Sequence, residues 1–293
     1  MIFVKVIGGL GNQLFQYAFA KGLAKKLNCS FKLDVTAFSR YYSLHRFALS
    51  DFTFRYDLLS PADARRFHRA TGPGITLVAL LQRLKPSSLR CFFRETKAFQ
   101  FDEMLISPRK FPCYFDGYWQ NEGYFHSVAN EIRAEFCLKV GLSDDDRRYE
   151  TAIRSRTGVS VHIRRGDYVT DPKTRRFLGV CPTEYFYNAL ELIQQQVSGV
   201  HLFVFSDDPE WVRSHFSPGA PMTIVSDRPN ARGCVDLYLM SLCRHHVIAN
   251  STFSWWGAWL NPQPDKIVVA PKAWAQGALN TSREILPAGW YSI

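Results

Sequence analysis

The sequence predicts an α/β protein built from two doubly wound, Rossmann-like domains, and three observations support that prediction. Short apolar runs alternate with segments of helical periodicity along most of the chain. The length of 293 residues is enough for two domains, at about 100–200 residues each. Hydrophobic residues make up 46% and charged residues 21% of the chain, as in globular proteins. Strands that alternate with helices form a mostly parallel sheet covered on both faces.

The first half begins with a strand–helix–strand unit. Residues 2–7 are predicted to form a buried strand, residues 12–27 a helix with a broad apolar face, and residues 31–35 a second strand. Further along, residues 113–119 are predicted as a strand and residues 123–138 as a helix.

The domain boundary is predicted where the pattern turns polar, near residues 141–148. We therefore expect one α/β domain over residues 1–146 and a second over residues 147–293. No element is assigned to residues 71–95.

The second domain shows the cleaner alternation. Its predicted strands are 159–163, 201–205, 222–226, 245–249 and 266–270, and its predicted helices are 183–197, 209–216, 234–244 and 251–260. Ligands of such sheets bind outside the carboxyl ends of the strands.

Four polar clusters follow predicted strands at that edge: GGLGNQ, HIRRGDY, SDD and NST. In HIRRGDY, Arg164 presents a fork of donors that suits a phosphate, and its charge does not titrate. His162 lies on the same strand face as Arg164. For Arg165 and Asp167 the alternative is a purely structural ion pair between them. No second residue stands at metal-ligand spacing from His162.

In GGLGNQ, Gly9 and Gly11 open a helix and suggest a backbone that approaches a phosphate. Asn12 and Gln13 offer amides for orienting hydroxyls, and a helix N-cap explains Asn12 equally well. Asp34 resembles the ribose-binding acid of a dinucleotide site, so an NAD-dependent oxidoreductase stays an alternative.

The last two clusters predict a nucleotide pocket. Ser251 and Thr252 begin a helix, where hydroxyls and free N–H groups converge on an anion, although an ordinary N-cap is the alternative. Asp236 lies in an otherwise apolar helix, which is costly unless its carboxylate is paired, for example with a guanine edge. Further candidates for donor binding are Ser206, Asp207, Asn250 and Ser254.

Composition bounds the partners and the location. The net charge of +10 and pI near 9.3 favour a membrane surface or a phosphorylated substrate, with a non-catalytic binder of anionic glycan or RNA as an alternative. Asp144 and Asp146 match a DxD pattern but read as a solvated helix start. The seven cysteines never form CxxC and indicate reduced thiols. No apolar run of spanning length and no signal peptide is found.

The segments GGLGNQLFQYAFAKGLA, VHIRRGDYV, FSDDPEWV and LMSLCRHHVIANSTFSWWGAWLN, in this order, resemble the α-1,2-fucosyltransferases of glycosyltransferase family 11. The resemblance implies a GT-B fold, with two Rossmann-like domains facing across a cleft. It also implies inverting transfer of L-fucose from GDP-β-L-fucose to the 2-hydroxyl of a galactoside, with no cofactor or essential metal and no nucleic-acid partner. A cytoplasmic bacterial protein, at most peripheral at the inner membrane, is the expected location.

The resemblance also implies roles for individual residues. Arg164 would contact the β-phosphate, where charge develops as GDP leaves. The resemblance does not identify a general base: Asp167 is one candidate, and the alternatives are that it only orients Arg165 or that the leaving phosphate takes the proton and no protein base is needed. The other implied contacts are His162 beside the nucleotide, Asp236 facing guanine, Ser251 and Thr252 on the phosphates, and Asn12 facing the fucose from the other domain.

Overall fold

The computed structural model describes residues 1–40, 42, 45–60, 63, 89–107, 112–229, 231–276 and 283–293. Within these residues the chain divides into two units, Met1–Cys137 and Leu138–Ile293. The helix Asp144–Arg154, which contains the predicted boundary after residue 146, lies wholly in the second unit. Of the unassigned segment 71–95, residues 71–88 lie outside the described residues.

The first unit contains a five-stranded, fully parallel sheet in the order β3-β2-β1-β5-β4. Its strands are β1 (Ile2–Lys5), β2 (Phe31–Asp34), β3 (Asp57–Leu58), β4 (Phe92–Arg94) and β5 (Cys113–Asp116). β1 is apolar because it is the central strand: Ile2 and Val4 are fully buried between neighbours on both sides. Sequence reasoning missed β3 and β4.

The helix α1 (Leu10–Lys26) follows β1 and packs against the sheet. Gly8, at φ +92°, makes the turn between them. Gly22 lets α1 approach the chain closely, since a Cβ there would stand 2.1 Å from the carbonyl oxygen of Tyr124. The remaining α-helices of the described part of this unit are α2 (Thr36–Arg40) and α3 (Ala129–Glu135). The predicted helix 123–138 is therefore mostly wrong at its start, where two short 3-10 turns stand instead.

The second unit contains a six-stranded, fully parallel sheet in the order β11-β10-β9-β6-β7-β8. Read from β8, this is the strand order 3-2-1-4-5-6 of the dinucleotide-binding fold. The prediction of parallel α/β architecture is confirmed in both units. The strands are β6 (Thr157–Ile163), β7 (Val200–Ser206), β8 (Met222–Ile224), β9 (His245–Val247), β10 (Val268–Ala270) and β11 (Tyr291–Ser292), the last of which was not predicted.

Seven described α-helices complete this unit, and the last four follow strands as expected. They are α4 (Asp144–Arg154), α5 (Gly166–Thr170), α6 (Pro172–Phe177), α7 (Thr183–Gln194), α8 (Pro209–His215), α9 (Gly233–Leu242) and α10 (Thr252–Leu260). The apolar face of α7 packs with β6, β7 and β9 into one buried cluster, which holds the carboxyl ends of these strands rigidly. No helix in the described ranges has the length and apolarity that crossing a bilayer requires.

Candidate active site

The strand order of the second unit reverses between β6 and β9, which are hydrogen-bonded neighbours. A crevice outside the carboxyl ends of two such strands is where open parallel sheets bind ligands. Two of the four polar clusters, HIRRGDY and NST, meet there. Tyr168, the last residue of HIRRGDY, donates a hydrogen bond from its hydroxyl to the carbonyl oxygen of Asn250, the first residue of NST, over 3.1 Å.

Arg164 follows β6, and its guanidinium is bound by the carboxylates of Asp167 and Asp207. We call these three residues the arginine clamp. Nη2 donates to Oδ1 of Asp167 at 2.5 Å, and Nη1 lies 3.0 Å from Oδ2 of Asp207. Burial alone would lower the pKa of Arg164, but the charges of Asp207 and Asp167 outweigh it and raise that pKa. The side chain is 27% exposed. Arg164 is thus a fixed cation with N–H groups to spare.

Asp207 is held in place by more than Arg164. Its Oδ1 accepts the backbone N–H of Arg165 at 2.8 Å. A Cβ on Gly166 would stand 2.3 Å from Oδ2 of Asp207, so glycine at 166 makes room for this carboxylate. The neighbouring Asp208, and not Asp207, caps α8 by accepting the backbone N–H of Trp211.

Arg165 points away from Asp167, and the structural pairing considered for these two residues is wrong. Its Nε donates to Oδ2 of Asp208 at 3.1 Å. Its guanidinium lies 4.1 Å from the ring centroid of Trp211, in a cation–π contact. Arg165 therefore anchors the β6 end to α8, while Asp167 pairs with Arg164.

His162 is buried at the end of β6, at 4% exposure, with its ring 5.6 Å from that of Phe253. Burial, and secondly the charge of Arg164, lowers the pKa of His162 to about 3, so the imidazole is neutral. Its Nδ1 has no hydrogen-bond partner among the described residues.

The start of α10 is not closed by a side chain. Ser251 occupies the N-cap position, as one alternative predicted, but its hydroxyl accepts no backbone N–H of the helix. Thr252 is the first helical residue. The first-turn amides and the Ser251 hydroxyl are the groups by which such a helix end binds an anion.

Two neighbours of Ser251 serve the fold. Ser254 is fully buried, and its hydroxyl donates to the carbonyl of Ser251 at 3.2 Å. The Asn250 amide donates to the carbonyls of Leu178, Gly179 and Trp274, at 2.9–3.4 Å. In this arrangement both polar groups already have partners in the protein.

Asp236 on α9 is paired with an arginine that sequence reasoning missed. Nη1 of Arg228 donates to Oδ1 of Asp236 at 2.5 Å. Burial raises the pKa of Asp236, and Arg228 opposes this shift. Ser226 donates to Oδ2 of Asp236, and its Oγ accepts the backbone N–H of Ser206. Ser206 in turn accepts from the N–H of Asp208.

In the first unit, the polar side chains of the GGLGNQ turn are hydrogen-bonded within the turn and to neighbouring segments of the chain. The N-cap of α1 is Gly9, so the N-cap reading of Asn12 is wrong. The Oδ1 of Asn12 accepts from Gln120 at 2.8 Å. Gln13 is fully buried and bonds the carbonyls of Gly8 and Arg46, which makes it a brace for the turn rather than a free amide. Gly11 is also buried.

Asp34, the acid on which the alternative of a dinucleotide site depended, has partners within the protein. Asp34 is 2% exposed and accepts the Tyr114 hydroxyl at 2.6 Å and the N–H of Thr36 at 3.0 Å. Both oxygens are thus engaged in holding β2 and α2. Asp34 is a structural residue here.

Asp146, too, differs from its prediction. It is 4% exposed, closes a capping box with Ser143, and receives Nε of Arg228 at 2.6 Å. Only Asp144 of the DxD pair is exposed. Over the described ranges, no three His, Cys, Asp or Glu side chains come together as a metal site requires. Metal independence stays a prediction.

Two parallel α/β units, one with an arginine clamp at its switch point, fit the architecture of a nucleotide-sugar glycosyltransferase, and the comparisons with known proteins give the class. The model of glycosyl transferase family 11 matches residues 94–293. The chain belongs to glycosyl transferase family 11 and is a glycosyltransferase.

The relatives include an alpha-1,2-colitosyltransferase of Escherichia coli, 32% identical over 100% of this chain and 99% of that protein. The human galactoside alpha-(1,2)-fucosyltransferase 1 is 28% identical over 51% of this chain and 41% of its own length. Among solved structures, the fucosyltransferase NodZ from Bradyrhizobium aligns with a TM-score of 0.49 and 13% identity, over 89% of this chain and 93% of that one.

Proposed function

We propose that the protein transfers L-fucose from GDP-β-L-fucose to the 2-hydroxyl of a terminal galactose, with inversion at the anomeric carbon. The observation that carries the proposal is the Arg164 guanidinium, fixed at the switch point by Asp167 and Asp207. Membership of family 11 and the similarity to a galactoside alpha-(1,2)-fucosyltransferase support the choice of reaction.

In the proposed mechanism, Arg164 donates to the β-phosphate and stabilises the charge that GDP accumulates as the bond to fucose breaks. A donor held in position before the reaction stabilises that charge more in the transition state than in the ground state. The start of α10, where no side chain caps the helix, places Ser251 and Thr252 to donate to the phosphates. Neutral His162 lines the same edge without adding charge.

The carboxylates of the clamp play different parts in this proposal. Asp207 keeps Arg164 aimed, since it is also tied to the Arg165 N–H and seated against Gly166. Asp167 is 44% exposed and stands on the short helix α5. It gives up Nη2 to the diphosphate and is then the carboxylate available to take the acceptor proton.

A colitosyl donor is the second candidate, because the alpha-1,2-colitosyltransferase matches the whole chain and the fucosyltransferase half of it. Colitose is fucose without its 3-hydroxyl, so both donors present the same diphosphate to Arg164. The location is proposed as cytoplasmic, at most peripheral at a membrane, which the net charge of +10 favours.

The test offers the purified protein GDP-fucose and GDP-colitose separately, with a panel of terminal galactosides and matched 2-deoxygalactosides. We expect a product only with the 2-hydroxyl present, and NMR of the product gives the anomeric configuration and linkage. Transfer of colitose alone would reassign the donor. No transfer from either donor, or equal transfer to the 2-deoxy acceptors, would refute the proposal.

A further inference from the structure

A buried ionic cluster lies beside the proposed nucleotide site and joins α4, the end of β8 and α9. At its centre is Arg228, whose side chain is 2% exposed. Nε donates to Oδ1 of Asp146 at 2.6 Å, and Nη1 donates both to Oδ1 of Asp236 at 2.5 Å and to the carbonyl of Val225 at 3.0 Å. Ser226 donates to the second oxygen of Asp236 at 3.3 Å.

Stability alone does not account for this cluster. Buried ion pairs often contribute no more than apolar residues of the same volume, because desolvating the charges offsets their attraction. The cost is higher here, since Nη2 of Arg228 is buried with no hydrogen-bond partner in the described part of the chain. A buried cluster that keeps one hydrogen-bond donor unsatisfied therefore needs an explanation other than stability.

The exposure of the three charged groups points to that reason. The side chains of Arg228 and Asp146 are 2% and 6% exposed, and that of Asp236 is 14% exposed. Arg228 is too deeply buried to meet a ligand, whereas Asp236 reaches the surface. One hydrogen bond on each oxygen of Asp236 fixes the plane of its carboxylate and leaves lone pairs on both oxygens.

We propose that Arg228 is a positioning residue, anchored by Asp146, that holds the Asp236 carboxylate in the plane needed to accept both N1–H and the 2-amino group of a guanine base. This inference rests on the proposed function, in which guanine is the base of the donor. Asp146 is itself fixed by the Ser143 capping box and lies 3.5 Å from Nη2 of Arg232. Recognition of the 2-amino group thus depends on a side chain that never touches it.

The test compares GDP with IDP, whose hypoxanthine base lacks the 2-amino group, by calorimetric titration. The wild-type protein is expected to prefer GDP by about tenfold, the worth of a hydrogen bond to a charged group. In Arg228→Met the GDP affinity falls by about tenfold or more, and the preference for GDP over IDP approaches one. Turnover at saturating donor changes little, and Arg228→Lys restores part of the preference.

The matched control is Arg213→Met, which removes the exposed arginine paired with Asp227, next to Arg228 in sequence, at 3.0 Å. It is expected to leave both affinities unchanged. Should Arg228→Met fail to fold, Asp146→Asn loosens Arg228 without removing it and is expected to lower the preference in the same direction.

An equal loss of GDP and IDP affinity, or an unchanged preference in these variants, would overturn the positioning role. In that case the proposed function stands. A wild-type protein that does not bind GDP at all would overturn both.

Discussion

Replacing Arg164 tests the clamp most directly, because its two N–H ends are already committed to carboxylates. Arg164→Ala removes the donor to the β-phosphate and also leaves Asp167 and Asp207 without their cation. We therefore expect a loss with two parts, one from the missing donor and one from the newly unbalanced negative charge.

The first part is worth about 2.7–4 kcal/mol, or about 10²–10³ in kcat, as for other preorganised donors to a developing oxyanion. The second follows from Coulomb's law: the Asp207 carboxylate and the diphosphate, both held by one guanidinium and so ~8 Å apart, repel by about 2 kcal/mol at an effective dielectric constant of ~20. Because Asp207 is the source of that repulsion, Arg164→Ala/Asp207→Asn should be up to about 30-fold faster than Arg164→Ala.

Arg164→Lys keeps the charge and loses the fork. A single ammonium has no planar pair of nitrogens with which to serve Asp167, Asp207 and a phosphate together, so we expect little recovery. The assay is GDP release at saturating donor and acceptor, with thermal unfolding to show that each variant folds. Arg213→Ala, at an exposed ion pair with a side chain 48% exposed, is the matched control and should keep its turnover.

Turnover of Arg164→Ala within about threefold of wild type, less than about 1 kcal/mol in barrier, would refute the role of Arg164. A double variant no faster than Arg164→Ala would refute the charge argument alone.

Four further predictions concern other parts of the molecule. Gly22→Ala should destabilise the protein by about 1–3 kcal/mol or more in urea unfolding, because its Cβ would meet the Tyr124 carbonyl oxygen at 2.1 Å; Gly141→Ala, with no atom within 4 Å, is the control. His162 is neutral in the folded protein, because its pKa is lowered from 6.5 to about 3, so the free energy of unfolding falls as the pH drops below 6.5 toward 3. His162→Leu should reduce the slope of the free energy of unfolding with pH by up to about 1.4 kcal/mol per pH unit, and an unchanged slope would contradict this prediction. Turnover should persist in excess EDTA, and a loss restored by Mg²⁺ or Mn²⁺ would contradict metal independence. Asp167→Asn should lower kcat, because an amide cannot take up the acceptor proton; retained turnover across pH would exclude Asp167 as the base.

The sequence predicts strands well where both faces of the sheet are buried. The predicted strand 159–163 lies inside β6 (Thr157–Ile163) and 201–205 inside β7 (Val200–Ser206), because a central parallel strand is a continuous apolar run. The edge strands β3 and β11 are two residues long and exposed, so no such run marks them. Strands can thus be predicted from this sequence where they are buried, and not where they are short and exposed.

The sequence predicts the positions of the site residues much better than it predicts their interaction partners. HIRRGDY placed Arg164 at a strand end, but one of its two partners is Asp207, which is 43 residues away in sequence and follows the neighbouring strand directly. Arg228 carries no motif at all, and its importance appears only through its burial between Asp146 and Asp236. Such pairings are set by the packing of separate elements, which local patterns do not encode.

The carboxylates around Arg164 explain how an arginine can be preorganised without a ligand. A guanidinium with no partner would sample many rotamers and would lose that freedom only when the donor binds. Asp207, tied to the Arg165 N–H and seated against Gly166, keeps Arg164 in one orientation beforehand, so the ordering cost falls on folding and not on catalysis. The two carboxylates also cancel the positive charge of Arg164. In the proposed mechanism a diphosphate displaces the exposed Asp167, and the arginine then has that charge available for the phosphate. Orientation, more than charge, is therefore what this strand end contributes, and that is why lysine is expected to fail at position 164.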